Sequence, residues 1–540
     1  VAALDWAFED AARSAADEAN RVGLSQSDMV DAQRLATRLL RPPARTAANG
    51  ETGGPGQPDL WGLGVSGDHP IMLVRIADAD SADLLPSIVR AQRWLRRNGL
   101  RSDLVLLGTK ASSYEAPIAA RLRDALRDAG LAEGLGGDGG VHLHSIDRIS
   151  PFQVRALETL ARVTLDGAAR TLAAALPTSQ EDDVKPPVFD PGGQAMTEAL
   201  ARLERPQDLV CDNGLGGFIP ESGDYLMQID PGQTTPVPWC NVIANDDFGT
   251  IVTESGLGFT WSLNSGEFRL TPWSNDPVAD TQGEAVYLRD EETAQVWTVT
   301  PLPRGDRVQC RIIHRAGETV WERSSHGLAQ RLSISVPQDA PVKMISLELT
   351  NTTTRQRRIT ATCYADWQLG ATPSTAKPHV RTGYHGTARA LIAQSSWSPT
   401  FADQIAFLTA SRPAHAMTCD RAAFLGSGGT AMPEGLRRWS PWGRTDAVED
   451  ACAIYQVHLD IAPGATETVV FVLGAATSLA EIETLAETFA SPEQAAAATQ
   501  AVADGWQHRL GAIRVETPDE ALDLMVNRWL PYQSFASRIR

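Results

Sequence analysis

The sequence predicts an α/β fold followed by an all-β fold: a small parallel α/β domain with N-terminal helices, then a large antiparallel β-sandwich and C-terminal helices. Three observations carry this. Between residues 71 and 176, strand-like and helix-like runs alternate, as in βαβ units on a parallel sheet. From about Leu209 to Ala475 short alternating runs repeat between turn signals, the pattern of a sandwich large enough to be double-layered. Helical spacing returns after residue 480. A chain of 540 residues is also too long for one hydrophobic core.

Taken in order, residues 1–50 form a helical segment with an Asp/Ala-rich polar face, closed by the Gly/Pro loop ANGETGGPGQPD. Residues 51–176 form the α/β domain. Its strands are IMLVRI, SDLVLLG and GVHLHSI. Its helices are ADLLPSIVRAQRWLRRNGL, with Pro86 tolerated in the first turns, then YEAPIAARLRDALRDAGL, then SPFQVRALETLARVTLDGAARTLAAAL. Residues 177–194 are Pro-, Gly- and acid-rich without periodicity, which predicts a linker. Residues 195–480 make the sandwich, with runs such as EAVYLRD, QRLSISVP, VKMISLELTN and ETVVFVLG. Residues 481–540 are helices, the last opened by ETPDEA with Thr517 or Asp519 as N-cap. There is no initiator Met, and the final helix carries no stop signal, so both ends read as cut.

Composition excludes some functions. A net charge of −18 argues against nucleic acid as the partner, since phosphates want a basic face. The six cysteines are scattered and lack zinc spacing, which predicts reduced structural thiols and no metal. No apolar run approaches the ~20 residues needed to span a bilayer. In WGLGVSGDHP the glycines precede a strand, the reverse of a phosphate cradle, and NGLGGF reads as a turn. No GxSxG motif is present, and His314, His326 and His458 read as satisfied strand side chains.

One stretch, Trp261 to Trp297, is unusual. Sugars offer apolar ring faces edged by hydroxyls, which proteins meet with aromatic rings and with Asp, Glu, Asn and Arg. Trp261, Arg269, Trp273, Asn275, Asp276, Asp280, Glu284, Arg289, Asp290 and Trp297 make such a set. The plainer alternative is that the tryptophans fill the sandwich core and the aspartates form Asx turns. Asp276 with Asp280, or Glu284 with Asp290, could be paired on paper as hydrolytic carboxylates.

The run TPVPWCNVIANDDFGTIVTESGLGFTWSLNSGEFRLTPWSNDPVADTQGEAVYLRDEETAQVW resembles the N-terminal sandwich of the inverting disaccharide phosphorylases, glycoside hydrolase family 94. Within that family it is similar to the phosphorylase-like part of cyclic β-1,2-glucan synthases. NGLGGF with GDYLMQI, PVKMISLELTNTTTRQRRITATCYADWQLG and ETPDEALDLMVNRWLPYQ extend the likeness, and LWGLGVSGDHPIMLVRI carries it into the first half. The pattern departs at Gly266 and Phe268, where the family usually has Arg and Asn. The resemblance implies a carbohydrate-binding sandwich that leans on an (α/α)₆ barrel holding the general acid, beyond the last helix here. The chain itself would then be catalytically silent, and the Trp261–Trp297 stretch would be a rim facing glucan or barrel. It also implies inorganic phosphate as co-substrate, no other cofactor, β-glucan oligosaccharide or polysaccharide as partner, and room for a homodimer. The location implied is the cytoplasmic side of a bacterial protein anchored in the inner membrane. The rivals are a non-catalytic carbohydrate-binding and assembly module, or part of a free-standing β-glucoside phosphorylase, against which the α/β segment argues.

Overall fold

The structure is a computed structural model. It describes residues 2–40, 55–77, 84–108, 136–176, 187–191 and 202–537, apart from a few isolated positions, and four helical residues between 109 and 135. Most of the predicted helix at 114–131, and residues 177–186 and 192–194 of the predicted linker, lie outside the described residues. The described residues fall into two compact units: those up to 176 with 397–402, and those of 187–395 with 403–537.

In the first unit, β1 (Ile71–Ile76), β2 (Asp103–Gly108), β3 (Val141–Ser145) and β4 (Ala161–Asp166) pair in parallel in the order β3-β2-β1-β4. Apart from the exposed Arg75, β1 is apolar and buried on both faces, and so is β2 from Leu104 to Leu107, as central parallel strands must be. One face packs against the helix Leu85–Arg97, which buries Leu85, Ile88, Val89 and Leu95 and starts with Pro86, where a missing N–H costs nothing. The other face packs against Pro151–Leu160. That helix opens with a reciprocal capping box between Ser150 and Gln153.

Here the structure corrects the sequence reading. The run from Pro151 to Leu176 is not one helix: it ends at Leu160, and Ala161–Asp166 is the fourth strand. The reason is local. In ARVTLD, Ala161, Val163 and Leu165 alternate inward, Val163 and Thr164 are β-branched, and Gly167 closes the run.

In the second unit the strands are β5 (Gly216–Phe218), β6 (Tyr225–Ile229), β7 (Cys240–Ala244), β8 (Phe248–Thr253), β9 (Gly256–Ser262), β10 (Glu284–Asp290), β11 (Val296–Thr298), β12 (Cys310–Arg315), β13 (Glu318–Ser325), β14 (Leu328–Ser335) and β15 (Val342–Asn351). They continue as β16 (Arg357–Asp366), β17 (Val380–His385), β18 (Ala390–Ser395), β19 (Ile405–Ala410), β20 (Ala416–Asp420), β21 (Ala451–Ile461) and β22 (Thr466–Ala476). They build a ten-stranded sheet, β17-β18-β19-β22-β15-β14-β13-β12-β6-β5, a five-stranded sheet, β11-β10-β16-β21-β20, and a three-stranded sheet, β7-β8-β9. β9 turns sharply at Gly258, where φ is +65° and a Cβ would overlap the Ile251 carbonyl oxygen. No residue but glycine fits there.

Within the predicted linker, Val188 bridges Arg438 in antiparallel fashion and Phe189 donates its N–H to the Arg437 carbonyl at 2.9 Å. The final helices start at Asp519, whose carboxylate caps the N–H groups of Ala521 and Leu522. The Tyr532 hydroxyl donates to Asn241 Oδ1 at 2.8 Å and thereby ties the last helix to β7.

All six cysteines are free, with Cys211 and Cys240 exposed and the other four buried. Burial pushes the Cys310 and Cys419 thiols up to about 12.

Candidate functional site

The Trp261–Trp297 stretch divides into an exposed part and an interior part. The exposed part is the loop that leaves β9 and returns as β10. Asn264 accepts the N–H groups of Gly266 and Glu267, which tightens the first turn. Arg269 then bridges Trp261 on one side and Gly370 on the other, so the chain is extended as it approaches Trp273.

Trp273 is 44% exposed. Its ring stacks on the buried Phe259 at 5.4 Å with planes 17° apart. The Arg269 guanidinium lies 5.5 Å from the same indole, held by bonds to the carbonyls of Ser265 and Ala371. A large ring with a rigid backing and a fixed cation beside it is what a sugar ring stacks on. Asn275 is exposed at φ +49°. Asp276 closes an Asx turn, and the N–H groups of Ala279 and Val278 hold its carboxyl below the usual range. Asp280, half-buried, accepts from the hydroxyls of Thr253 (2.7 Å) and Ser255.

The remaining residues are interior. Trp261 is buried over Gly249, where a Cβ would overlap the indole. Glu284 is buried on β10: one oxygen meets Lys343 Nζ at 2.7 Å and the other accepts from Thr260 and Thr271. Arg289 is buried. It donates to Glu291 and to the carbonyls of Leu436 and Arg438, with its guanidinium over the Phe189 ring. Asp290 pairs with Arg357 at 2.7 Å inside the protein. Trp297 is buried, donates to Gln330 Oε1 at 3.0 Å and stacks on His326.

The structure therefore corrects the picture of one continuous rim. Trp261, Glu284, Arg289, Asp290 and Trp297 have no surface to offer a sugar. All seven residues of β10 are buried because β11 and β16 flank it and both faces are covered. Charges there have to be paired and hydrogen-bonded within the fold. Neither carboxylate pair faces a cleft: Asp276 bonds its own turn, Asp280 its hydroxyls, and Glu284 and Asp290 sit at opposite ends of β10 in separate ion pairs. Arg269, Trp273, Asn275 and Asp276, with Asp280 at their base, remain at the surface.

Phe259, which backs Trp273, and Lys343, which neutralises Glu284, are outside the predicted set. Phe259 is detectable as an inward neighbour two residues before Trp261; a lysine in VKMISLELTN carries no such mark. Among the described residues, no group of three or more His, Cys, Asp or Glu could hold a metal ion. His314 lies on β12 and His458 on β21, each hydrogen-bonded to a threonine. His326 is instead in the β13–β14 turn at φ +52°, with Nε2 on Asp306 at 2.9 Å.

Comparison with known proteins adds to this geometry. Residues 223–492 match the family described as glycosyl hydrolase 94, supersandwich domain. The cyclic beta-(1,2)-glucan synthase NdvB of Rhizobium meliloti is 30% identical over 537 residues, covering 96% of this chain and 19% of the synthase. The N,N'-diacetylchitobiose phosphorylase of Vibrio furnissii is 23% identical over 328 residues, 59% of this chain and 40% of the relative. The 3-O-beta-D-glucopyranosyl-beta-D-glucuronide phosphorylase of Paenibacillus borealis is 23% identical over 326 residues, with the same shares. The chain thus spans about a fifth of the synthase and two fifths of each phosphorylase.

Proposed function

The chain belongs to the glycosyl hydrolase 94 family through its supersandwich domain, and from that membership we propose that it is the sandwich-bearing part of an enzyme that transfers glucosyl units of β-1,2-glucan. The extent of the synthase match carries this reading: it covers 96% of the chain, whereas the two phosphorylases cover 59%. In this proposal the general acid comes from a helical barrel, inorganic phosphate is the nucleophile, and no other cofactor takes part. The tip formed by Arg269, Trp273, Asn275 and Asp276 meets glucan or barrel. Its exposed, backed indole and fixed guanidinium support that role. A second copy of the chain is a further partner the proposal admits. The enzyme would hold this part on the cytoplasmic side of a bacterial inner membrane; no described helix is long and apolar enough to cross one.

A second reading is a carbohydrate-binding module without chemistry of its own. The commitment of Asp276, Asp280, Glu284 and Asp290 to turns, hydroxyls and ion pairs favours it for these 540 residues alone. The two readings share one test. The chain, incubated with β-1,2-glucan and phosphate, is expected to release no glucose 1-phosphate above a blank. Titration with β-1,2-linked gluco-oligosaccharide is expected to show binding, and tighter binding than a β-1,4-linked set of equal length. Turnover by the chain alone would contradict the assignment of chemistry elsewhere. A preference for β-1,4 linkages would contradict the glucan assigned.

A further inference from the structure

A second polar site lies in the α/β unit, at the carboxyl end of the edge strand β3. A cavity of about 460 Å³ opens there, within the ~300–1,000 Å³ range of small-molecule sites. The carboxyl ends of parallel strands are where open α/β sheets collect ligands. His144 and Ser145 end β3 and line the cavity, with Arg148 from the following turn, Gln153 from the helix Pro151–Leu160, and Gly62 and Leu63 from the segment before β1.

Among the described residues, two of these groups are buried without a partner. Ser145 is 4% exposed, and its hydroxyl makes no hydrogen bond. His144 Nε2 is also buried and unbonded. A neutral imidazole has one N–H and one bare nitrogen, so Nε2 is open to a partner that can both give and accept a hydrogen bond. Burial, and then the neighbouring His142, lower the His144 pKa, which keeps the ring neutral at neutral pH. Gln153 turns its Oε1 back to the Ser150 N–H at 2.9 Å, and its Nε2 stands beside Gly62, where a Cβ would approach it to 3.1 Å. A buried polar atom without a partner costs free energy, so a ligand that satisfies both groups gains what the empty site lacks.

The donor and acceptor set selects the ligand. A hydroxyl group, which both donates and accepts, pairs with Nε2 in either tautomer, whereas a carboxylate only accepts. The Ser145 hydroxyl both gives and accepts, and the Gln153 amide and Arg148 guanidinium supply donors. Adjacent hydroxyl groups on one small ring meet all of these demands. An apolar ligand would leave both buried groups unsatisfied. Trp61 (62% exposed) and Phe152 (41% exposed) immediately precede lining residues Gly62 and Gln153 and add aromatic surface in the same two segments. We propose that this cavity binds a neutral polyhydroxylated molecule of the size of a glucose unit, through His144 Nε2, Ser145 Oγ, Gln153 and Arg148. The proposal is independent of the role assigned to Trp273.

The test is calorimetric titration of the 540-residue chain with glucose, with the β-1,2-linked glucose disaccharide, and with inorganic phosphate. Two variants accompany it: His144→Phe and Arg148→Ala. Histidine ring NMR follows the His144 Nε2 signal. The expected result is saturable sugar binding that moves this signal. The sugar concentration at which this signal moves rises roughly five-fold or more in Arg148→Ala, the scale of one lost hydrogen bond, and the glucose affinity falls by as much in His144→Phe. If His144→Phe fails to fold, Arg148→Ala decides, because Arg148 is exposed. A His144 Nε2 signal that no sugar moves, or one that moves at the same sugar concentration in Arg148→Ala as in the parent, overturns the proposal. So does phosphate binding in place of sugar, or no binding by any of the three ligands.

Discussion

Replacing Lys343 by methionine is expected to lower the stability of the sandwich by about 3–5 kcal/mol, because it strands a buried carboxylate. Lys343 is 0% exposed on β15. Its Nζ donates to Glu284 at 2.7 Å, to Thr250 Oγ1 at 2.9 Å and to the Leu257 carbonyl at 2.9 Å. Glu284 completes its shell with the hydroxyls of Thr260 and Thr271. One charge pair thus fastens the ten-stranded sheet, the five-stranded sheet and the three-stranded sheet to each other. It also fixes both ends of the loop that carries Trp273, since Thr260 and Thr271 lie before that residue and Glu284 after it. Urea unfolding followed through the β-sheet signal reads the loss. Lys343→Met combined with Glu284→Gln should recover part of it, since no net charge then remains buried. The recovery should be incomplete, because the threonine hydroxyls and the Leu257 carbonyl lose partners. A Lys343→Met protein within about 1 kcal/mol of the parent would mean that the pair is not an essential clamp.

His314 should make the same unit acid-sensitive. It is fully buried on β12, its Nδ1 accepting from Thr319 Oγ1 at 2.9 Å and its Nε2–H donating to the Trp239 carbonyl at 3.0 Å. Burial lowers its pKa from 6.5 to about 4. The sign follows from linkage. A depressed histidine pKa means that the unfolded chain binds the proton first, between pH 6.5 and 4. Stability is therefore full above about pH 6.5 and falls as the pH drops towards 4, by up to about 3 kcal/mol at 1.36 kcal/mol per pH unit. Other groups titrate in this window, so the useful quantity is the difference between the parent and His314→Gln. That difference should change with pH by most of this amount. Parallel curves for the two proteins from about pH 7 to about pH 4.5 would show that His314 does not carry the effect.

The sequence made the regular elements legible where one period was unbroken. Ile71–Ile76 is a continuous apolar run, and Pro492–Leu510 starts with a Ser-Pro cap and ends at Gly511. β4 is hidden because its six residues lie directly after a helix of matching apolar content, so helical spacing runs across the junction. The candidate site is half legible for a different reason. Trp273 and Trp297 are the same residue type in the same stretch, yet one is at a loop tip and the other beneath a ten-stranded sheet. The residues that decide this come from far along the chain: Lys343 is 59 residues from Glu284, and Arg357 is 67 from Asp290. No local pattern in Trp261–Trp297 records those partners. Residue type announced the chemistry; only tertiary pairing showed which side chains it leaves free.

The most direct measurement of the central claim, that the Arg269–Trp273 tip handles glycan while the rest of the stretch holds the fold, is a paired one on Trp273→Ala. Melting temperature and affinity for β-1,2-linked gluco-oligosaccharide are determined on the same preparation. The exposed indole should be dispensable for folding, so melting should stay within a few degrees of the parent. Affinity should fall at least several-fold, as expected for loss of a stacking contact of about 1–3 kcal/mol by analogy with base–aromatic stacking. A variant that melts far lower but binds oligosaccharide as well as the parent would contradict the claim and make Trp273 one more core tryptophan.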